Sequence, residues 1–559
     1  MYNFLSKRIP DNRFTRKYLQ DFPKMAAEYH AKPIYALPYS LFKLYHENGN
    51  RVQYETYYFE IRKRCDVFAA MILSGYPEYI TDLQDVLCAI CEEYTWALPA
   101  HVPKEHTIEQ EVTRIDLFAA ETAMMLSEIW YLCQDQFDHE INSRIIYELR
   151  RRIVNPYLNC PTKWGKNNWS SVCAHGVIMT FIYLGLDQEF KRACPELMDS
   201  LEYFLSSYQE DGCSTEGALY WSYGFENFVY AASLLREYTN GEIDYFKSEK
   251  VHSIAKYGFY TYFCDNLTLP FSDSPHQLNY NIGLYHFLKK EYPELPLPSE
   301  NRAAMFGDET RCRFFEMIRN LYWFDESLKG QDTPIERFDF PASQVFIRNR
   351  KKYHFACKGG HNNEPHNHND IGSFVFVYDS KYILDDPGWC EYEKNYASEK
   401  RYTDFICAMS AGHSVPIING QGQVFGQEQK GEIIHLSDTY IELDISNAYK
   451  LPGIQAKRSW RLTDDFVEMR DCFSGTSTVI ERIVTRIEPQ IDETGTVNIQ
   501  DVTLESNAGK PKISSCSFVP RSVSHIGMKS IETLYMIDYS LNKDIFVLHV
   551  VPLKDTPKT

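Results

Sequence analysis

The 559-residue chain has no run of about 18 apolar residues, the length a bilayer-crossing helix needs, and no membrane span is expected. Its opening, Met1-Tyr2-Asn3-Phe4-Leu5-Ser6-Lys7-Arg8, lacks an apolar core and a small-residue cleavage site, so a cytoplasmic location is expected. Basic residues are in deficit. With 58 Lys and Arg against 76 Asp and Glu the net charge is −18, which argues against broad nucleic-acid binding, because phosphate affinity needs clustered cations. An anionic ligand is still allowed, since a local basic groove can sit on an acidic protein. Zinc-finger pairs are lacking too: Cys88-Ala89-Ile90-Cys91 has no second pair at zinc spacing. The 15 cysteines are scattered through apolar patterns and read as reduced, mostly buried thiols. No crisp repeat marks a consensus solenoid.

What is present is ordinary in bulk, with 44% hydrophobic and 24% charged residues, and long enough for two large domains. Aromatics reach 15%, including 40 tyrosines. Core packing accounts for most of them, and stacking on sugar rings or flat ligands is the functional reading.

The pattern changes once. Up to about Phe324 it is helical: Ile80, Leu83, Leu87 and Ile90 repeat at helical steps, as do Phe118, Met125, Ile129 and Leu132. Further helices are expected over roughly 54–73, 139–153, 171–185, 195–207, 225–237, 249–262 and 311–324, joined by connections such as Gly75-Tyr76-Pro77. From about Val345 short strands follow one another without helices, as in Phe374–Tyr378 and Tyr382–Leu384. Lys457–Leu462 and Phe466–Arg470 flank Thr463-Asp464-Asp465, a hairpin signal. An antiparallel sandwich is implied, with 329–334 as linker between domains 1–328 and 329–559.

At the start of the β half lies Gly360-His361-Asn362-Asn363-Glu364-Pro365-His366-Asn367-His368-Asn369-Asp370. On an extended chain His366 and His368 would point to opposite faces, one toward a cleft and one toward a buried metal.

A helical half followed by an all-β half with this His-x-His-x-Asp segment resembles the heparinase II/III superfamily of polysaccharide lyases, from about residue 90 onward. The motifs are His366-Asn367-His368-Asn369-Asp370, Asp386-Pro387-Gly388, Gly412-His413-Ser414 and Ile418-Asn419-Gly420, with Asn167-Asn168-Trp169 and Glu216–Gly224 in the helical half. The resemblance implies an N-terminal incomplete (α/α) toroid and a C-terminal antiparallel β-sandwich. It also implies a structural divalent metal at His368, Asp386 and His413, two imidazoles and a carboxylate that suit Zn²⁺ first and Mn²⁺ or Ca²⁺ as alternatives. Without the resemblance, Asp386 merely starts a Pro-Gly turn and His413 is a surface residue. The implied reaction is β-elimination at a uronate: neutralise the carboxylate, remove the C5 proton, protonate the leaving oxygen.

Within that resemblance Asn168 matches the carboxylate-binding asparagine, and a helix N-cap is its bland reading. Tyr220 matches the catalytic acid, with Tyr223 competing. Some relatives carry a catalytic His where this chain has Trp169, which leaves His366 as the base, with His175 a possible substitute. Trp96, His101, Asn167, Tyr223, Asn363 and Arg401 are expected to contact substrate; for Trp96 a packed core aromatic is the equal alternative. Glu364 and Asp370 are expected to orient rings or meet sugar hydroxyls, Asp370 more simply capping a turn. The expected partner is an anionic uronate-containing oligo- or polysaccharide. Glycosaminoglycans such as heparan sulfate, chondroitin or hyaluronan come first, and alginate or another bacterial uronan is the alternative. A metal-dependent hydrolase and a non-catalytic carbohydrate-binding protein are the rival classes.

Overall fold

A computed structural model describes residues 8–309, 311–331, 335–392, 395–396, 398–521 and 530–553. Helices fill the N-terminal part, the last of them being Phe314–Trp323, and strands follow from Arg337–Phe340 to Ile545–Pro552. The expected linker falls partly outside the described residues. This is the order of a helical half followed by a β half that the sequence predicts.

The helical half packs around Asn168–Tyr183, which touches Leu117–Cys133, Asp187–Leu205 and Ala218–Tyr238. Every residue of that central helix after Trp169 is buried. A helix apolar all round belongs in the middle of a bundle, and this one stands there. Its cap is Asn167, whose side chain accepts from the Trp169 N–H, so Asn168 is the first helical residue rather than the cap. The helix Ala218–Tyr238 also starts earlier than the apolar period suggests, which puts Tyr220 and Tyr223 on its first turns.

The β half contains a five-stranded, an eight-stranded and a four-stranded sheet, and all their strand pairs are antiparallel. The hairpin forms as expected, Leu462 facing Val467. The five-stranded sheet is buried on both sides, which explains runs such as Phe374–Tyr378 that are apolar without alternation. Its Val345, Ile347, Ala356, Val375 and Val377 join the core of the helical half. Their pleat neighbours Phe346, Phe355, Cys357, Phe374 and Phe376 join the core of the sandwich. One sheet is therefore shared by two cores, and the halves are fixed to each other by apolar burial.

Arg458 ties the sandwich to the loops that carry the site. It is fully buried, pairs with Asp471 and Glu481, and donates to the carbonyls of Gly372 (2.9 Å) and Ser414 (2.6 Å). Removing one member of such a buried pair costs about 3–5 kcal/mol, because the remaining charge has no partner.

Candidate active site and metal centre

The site is built around a residue with no motif of its own. Asp273, fully buried in the loop Phe271-Ser272-Asp273-Ser274, accepts from five side chains. Its Oδ2 meets His366 Nδ1 at 2.6 Å and the Tyr392 hydroxyl at 2.8 Å. Its Oδ1 meets His368 Nε2 at 3.0 Å, Arg401 Nη2 at 2.9 Å and the Tyr396 hydroxyl. These donors hold its carboxyl well below the usual range, outweighing a burial effect that acts in the opposite direction.

Two glycines bring this loop against the motifs. Gly217 has φ +102 and its missing Cβ would lie 2.8 Å from Ser274 Cβ. Gly388 has φ +62 and its Cβ would meet the Ser274 carbonyl at 2.8 Å. Both positions need the left-handed backbone and the absence of a side chain. The Glu-Gly and Asp-Pro-Gly motifs are thus sites where chain segments close on the Asp273 loop.

His366 and His368 do not alternate on a strand. The segment turns, and His366 sits in the left-handed region at φ +56, a conformation costing about 1 kcal/mol or more for a residue with a Cβ. Both rings reach the same carboxylate, one on each oxygen. Asp273 accepts from His366 Nδ1, which assigns the proton there and leaves Nε2 as the basic nitrogen. That nitrogen lies 4.0 Å from Glu216, whose carboxyl is pushed up by burial.

Tyr220 stacks on the His366 ring at 4.0 Å between centroids and 24° between planes. Its hydroxyl is 2.7 Å from that of Tyr392, so Tyr220, Tyr392, Asp273 and His366 form one hydrogen-bonded chain. Burial pushes the Tyr220 phenol up to about 12, partly offset by the Arg521 guanidinium, and keeps it protonated at neutral pH. A protonated phenol beside an imidazole with a free nitrogen is an acid next to a base.

Tyr220 and His366 line a cleft of about 330 Å³ together with Asn168, Asn167, His101 and Tyr223. His101 is oriented by Asp116 (2.7 Å) and packs on Trp169 at 4.8 Å. Tyr223 donates to Glu121 at 2.6 Å. Trp96 is elsewhere: it is 1% exposed and its indole N–H is satisfied by the Ile90 carbonyl, so it is a core residue. Arg401 is committed to Asp273 and is absent from the cleft wall, as is the exposed Asn363. Glu364 pairs with His361 at 2.9 Å, and Asp370 accepts from Lys358 at 2.7 Å. His175 is buried in the helical core on Asn227, its pKa lowered to about 3 by desolvation, and is no base for this cleft. Tyr392, Arg311 and Arg521 also line the cleft, and no sequence motif marks them.

His368, Asp386 and His413 are all fully buried, with potential ligand atoms within 4.8 Å of one another. Each imidazole has one nitrogen fixed by an acceptor, His368 Nε2 by Asp273 and His413 Nε2 by the Cys407 carbonyl at 2.8 Å. The other nitrogens face inward: His368 Nδ1 is buried with no hydrogen-bond partner, and His413 Nδ1 is 3.0 Å from Asp386 Oδ2. Metal-ligating histidines are held in this manner, the far N–H bonded so that the near lone pair points at the ion. The three residues therefore fit a metal ion. Asp386 also begins the predicted turn, its Oδ1 accepting from Gly388 N at 2.9 Å, so the turn and the cluster coexist. None of the three lines the cleft.

One disulfide corrects the expectation of uniformly reduced thiols. Cys390 and Cys407 are bonded, with Cα atoms 6.1 Å apart, and enclose the segment that carries Tyr392, Tyr396 and Arg401 onto Asp273.

No protein-family model and no curated protein matches the chain. Solved structures do. A heparan sulfate lyase mutant from Pedobacter heparinus superposes with a TM-score of 0.65 at 12% identity, covering 99% of this chain and 85% of that one. A heparinase III gives 0.64 at 12% identity, covering 98% and 93%. A chondroitin AC lyase from Streptomyces coelicolor, in complex with chondroitin sulphate, gives 0.57 at 10% identity, covering 98% and 80%. The chain has the heparinase III fold. That fold contains a toroid joined to a β-sandwich, the arrangement that the resemblance to the heparinase II/III superfamily implies.

Proposed function

We propose that this protein is a polysaccharide lyase that cleaves uronate-containing glycans by β-elimination and leaves a 4,5-unsaturated uronate end. The observation that carries this is the pairing of Tyr220 and His366, one from each half of the chain, stacked at 4.0 Å on one cleft with Asn168. His366 Nε2 removes the C5 proton. Its Nδ1–H stays on Asp273, which stabilises the imidazolium that forms. Asn168 donates to the uronate carboxylate, so that charge spreading from C5 is tolerated. Tyr220 gives its proton to the leaving glycosidic oxygen. His101, Asn167 and Tyr223 contact the sugar rings.

Glycosaminoglycans are the first substrate class and bacterial uronans such as alginate the second. Fold neighbours that act on heparan sulfate or bind chondroitin sulphate support that order. The metal is most simply Zn²⁺, given two imidazoles and one carboxylate, and it holds the loop that carries His366. None of its three ligands lines the cleft, which speaks against a hydrolytic metal. Incubation of the protein with a panel of uronans, followed by the ultraviolet absorbance of the unsaturated product, tests the proposal; no absorbance on any uronan sinks it.

A further inference from the structure

Four arginines line the cleft, and their surroundings divide them into two kinds. Arg51 is neutralised by Glu55, and Arg313 by Glu121 at 3.0 Å and Glu316 at 3.2 Å. Arg311 and Arg521 are not neutralised: no carboxylate oxygen lies within 4.0 Å of either guanidinium among the described residues. They come from different halves of the chain. Arg311 comes from the helical half and lies 5.5 Å from the Phe118 ring and 5.6 Å from that of Phe59. Arg521 comes from the sandwich and lies over Tyr392 at 3.9 Å and Trp389 at 4.9 Å. The Tyr392 hydroxyl is 2.7 Å from that of Tyr220, which puts Arg521 beside the proposed acid.

Stacking on rings orients a guanidinium and contributes about 0.5–2 kcal/mol, but it leaves the charge uncompensated. Two such charges in one cleft repel each other, and burial together with Arg521 pushes the Arg311 pKa down. In a chain of net charge −18 with acids to spare, two cleft cations that no carboxylate contacts among the described residues mark a place that a ligand anion completes. Of the cleft's acids, Glu55 faces Arg51, and Glu309 and Glu316 face Arg313. Glu216 and Glu391 also line the wall, and Glu391 and Glu55 join the Tyr392 and Tyr220 phenols in raising the Arg521 pKa against burial, none of the carboxylates touching its guanidinium.

We infer that Arg311 and Arg521, one from each half of the chain, together bind an oxyanion of the glycan other than the carboxylate held by Asn168, on a ring adjoining the cleaved bond. This rests on the lyase reading and narrows it to glycans with a second acidic group near the reacting uronate. A sulfate on an amino sugar and the carboxylate of a neighbouring uronate offer the same chemistry, planar or tetrahedral oxygens for a guanidinium fork.

The test uses full-length protein carrying Tyr220→Phe, so that ligands bind without turnover. Calorimetry measures affinity for three defined tetrasaccharides: an unsulfated uronate–N-acetylhexosamine, its sulfated counterpart, and an all-uronate chain. Arg311→Gln and Arg521→Gln should each weaken the sulfated or the all-uronate ligand roughly 10- to 100-fold, the range for a hydrogen bond to a charged group. The unsulfated ligand should change less than about threefold, within the scatter of a neutral contact. Which acidic ligand responds tells sulfate from carboxylate, and Arg→Lys variants should recover part of the loss and show that the fold is intact. Equal loss on all three ligands, no loss, or no binding of any overturns this oxyanion site. Wild-type turnover on the same three is read separately: absence of unsaturated product there removes the lyase reading while the affinities still decide the oxyanion site.

Discussion

Asp273 Oδ2 lies 2.6 Å from His366 Nδ1, and the same carboxylate's other oxygen lies 3.0 Å from His368 Nε2. The proposed base and a proposed metal ligand are thus oriented by one buried acid. Asp273→Asn keeps the shape but can present an amide N–H to one ring. It should lower kcat by about 10²–10⁴, the range for misplacing a general base, with a smaller change in KM. An unchanged kcat would remove Asp273 from the mechanism.

Asp273 also predicts an acid limb of stability. Its folded pKa is depressed, so its contribution is fully present above the unfolded value near 3.9 and disappears only as pH falls through the lower folded value. Wild type should therefore lose stability on acidification more steeply than Asp273→Asn. Denaturant melts taken between neutral pH and about pH 3 check the difference; parallel curves would contradict it.

Tyr220→Phe removes the acid while keeping the ring that stacks on His366. kcat should fall by about 10²–10⁴ with ligand affinity nearly unchanged. Because burial holds the phenol near 12, wild-type activity should show no alkaline decline from this group below that pH. A pH–rate profile of wild type, compared with Tyr392→Phe, checks it: a limb several units lower would mean that Tyr220 works as phenolate.

Chelation should lower the melting temperature before it changes any catalytic step, because His368, Asp386 and His413 are buried away from the cleft wall. An ion present at about 1,000 times its Kd contributes about 4 kcal/mol to stability. Metal analysis should find one ion per chain, and His368→Ala should abolish it. Loss of turnover with unchanged melting would instead make the metal catalytic.

Cys390→Ser should loosen the segment that delivers Tyr392, Tyr396 and Arg401. Opening a loop of 17 residues costs about 3 kcal/mol in the chain-entropy account. Thermal melts and kcat should both fall, and equal values in the variant would show that the bond does not organise the site.

Much of this was readable in the chain. Periodicity located the helices, and unbroken apolar runs such as Phe374–Tyr378 marked strands buried on both faces. The motif histidines and Asp386 assemble as a cluster because each sits on a short motif whose glycine or turn fixes it. Asp273 was not legible: its partners His366, Tyr392 and Arg401 lie 93, 119 and 128 residues away, and a single Asp between serines has no pattern. Arg311 and Arg521 were hidden for a related reason, since only the folded surroundings separate an arginine held by a carboxylate from one stacked on rings. The expected alternation of His366 and His368 failed because a left-handed residue replaces the strand there. Trp96 failed as a ligand contact because its N–H found a carbonyl in the core.

The most direct test of the central claim is to digest a uronate oligosaccharide in ¹⁸O-water and weigh the products. Elimination predicts that no solvent oxygen enters and that the two product masses sum to that of the substrate, with one product carrying the new double bond. Uptake of one ¹⁸O per cleavage would mean hydrolysis and would contradict the roles assigned to His366 and Tyr220.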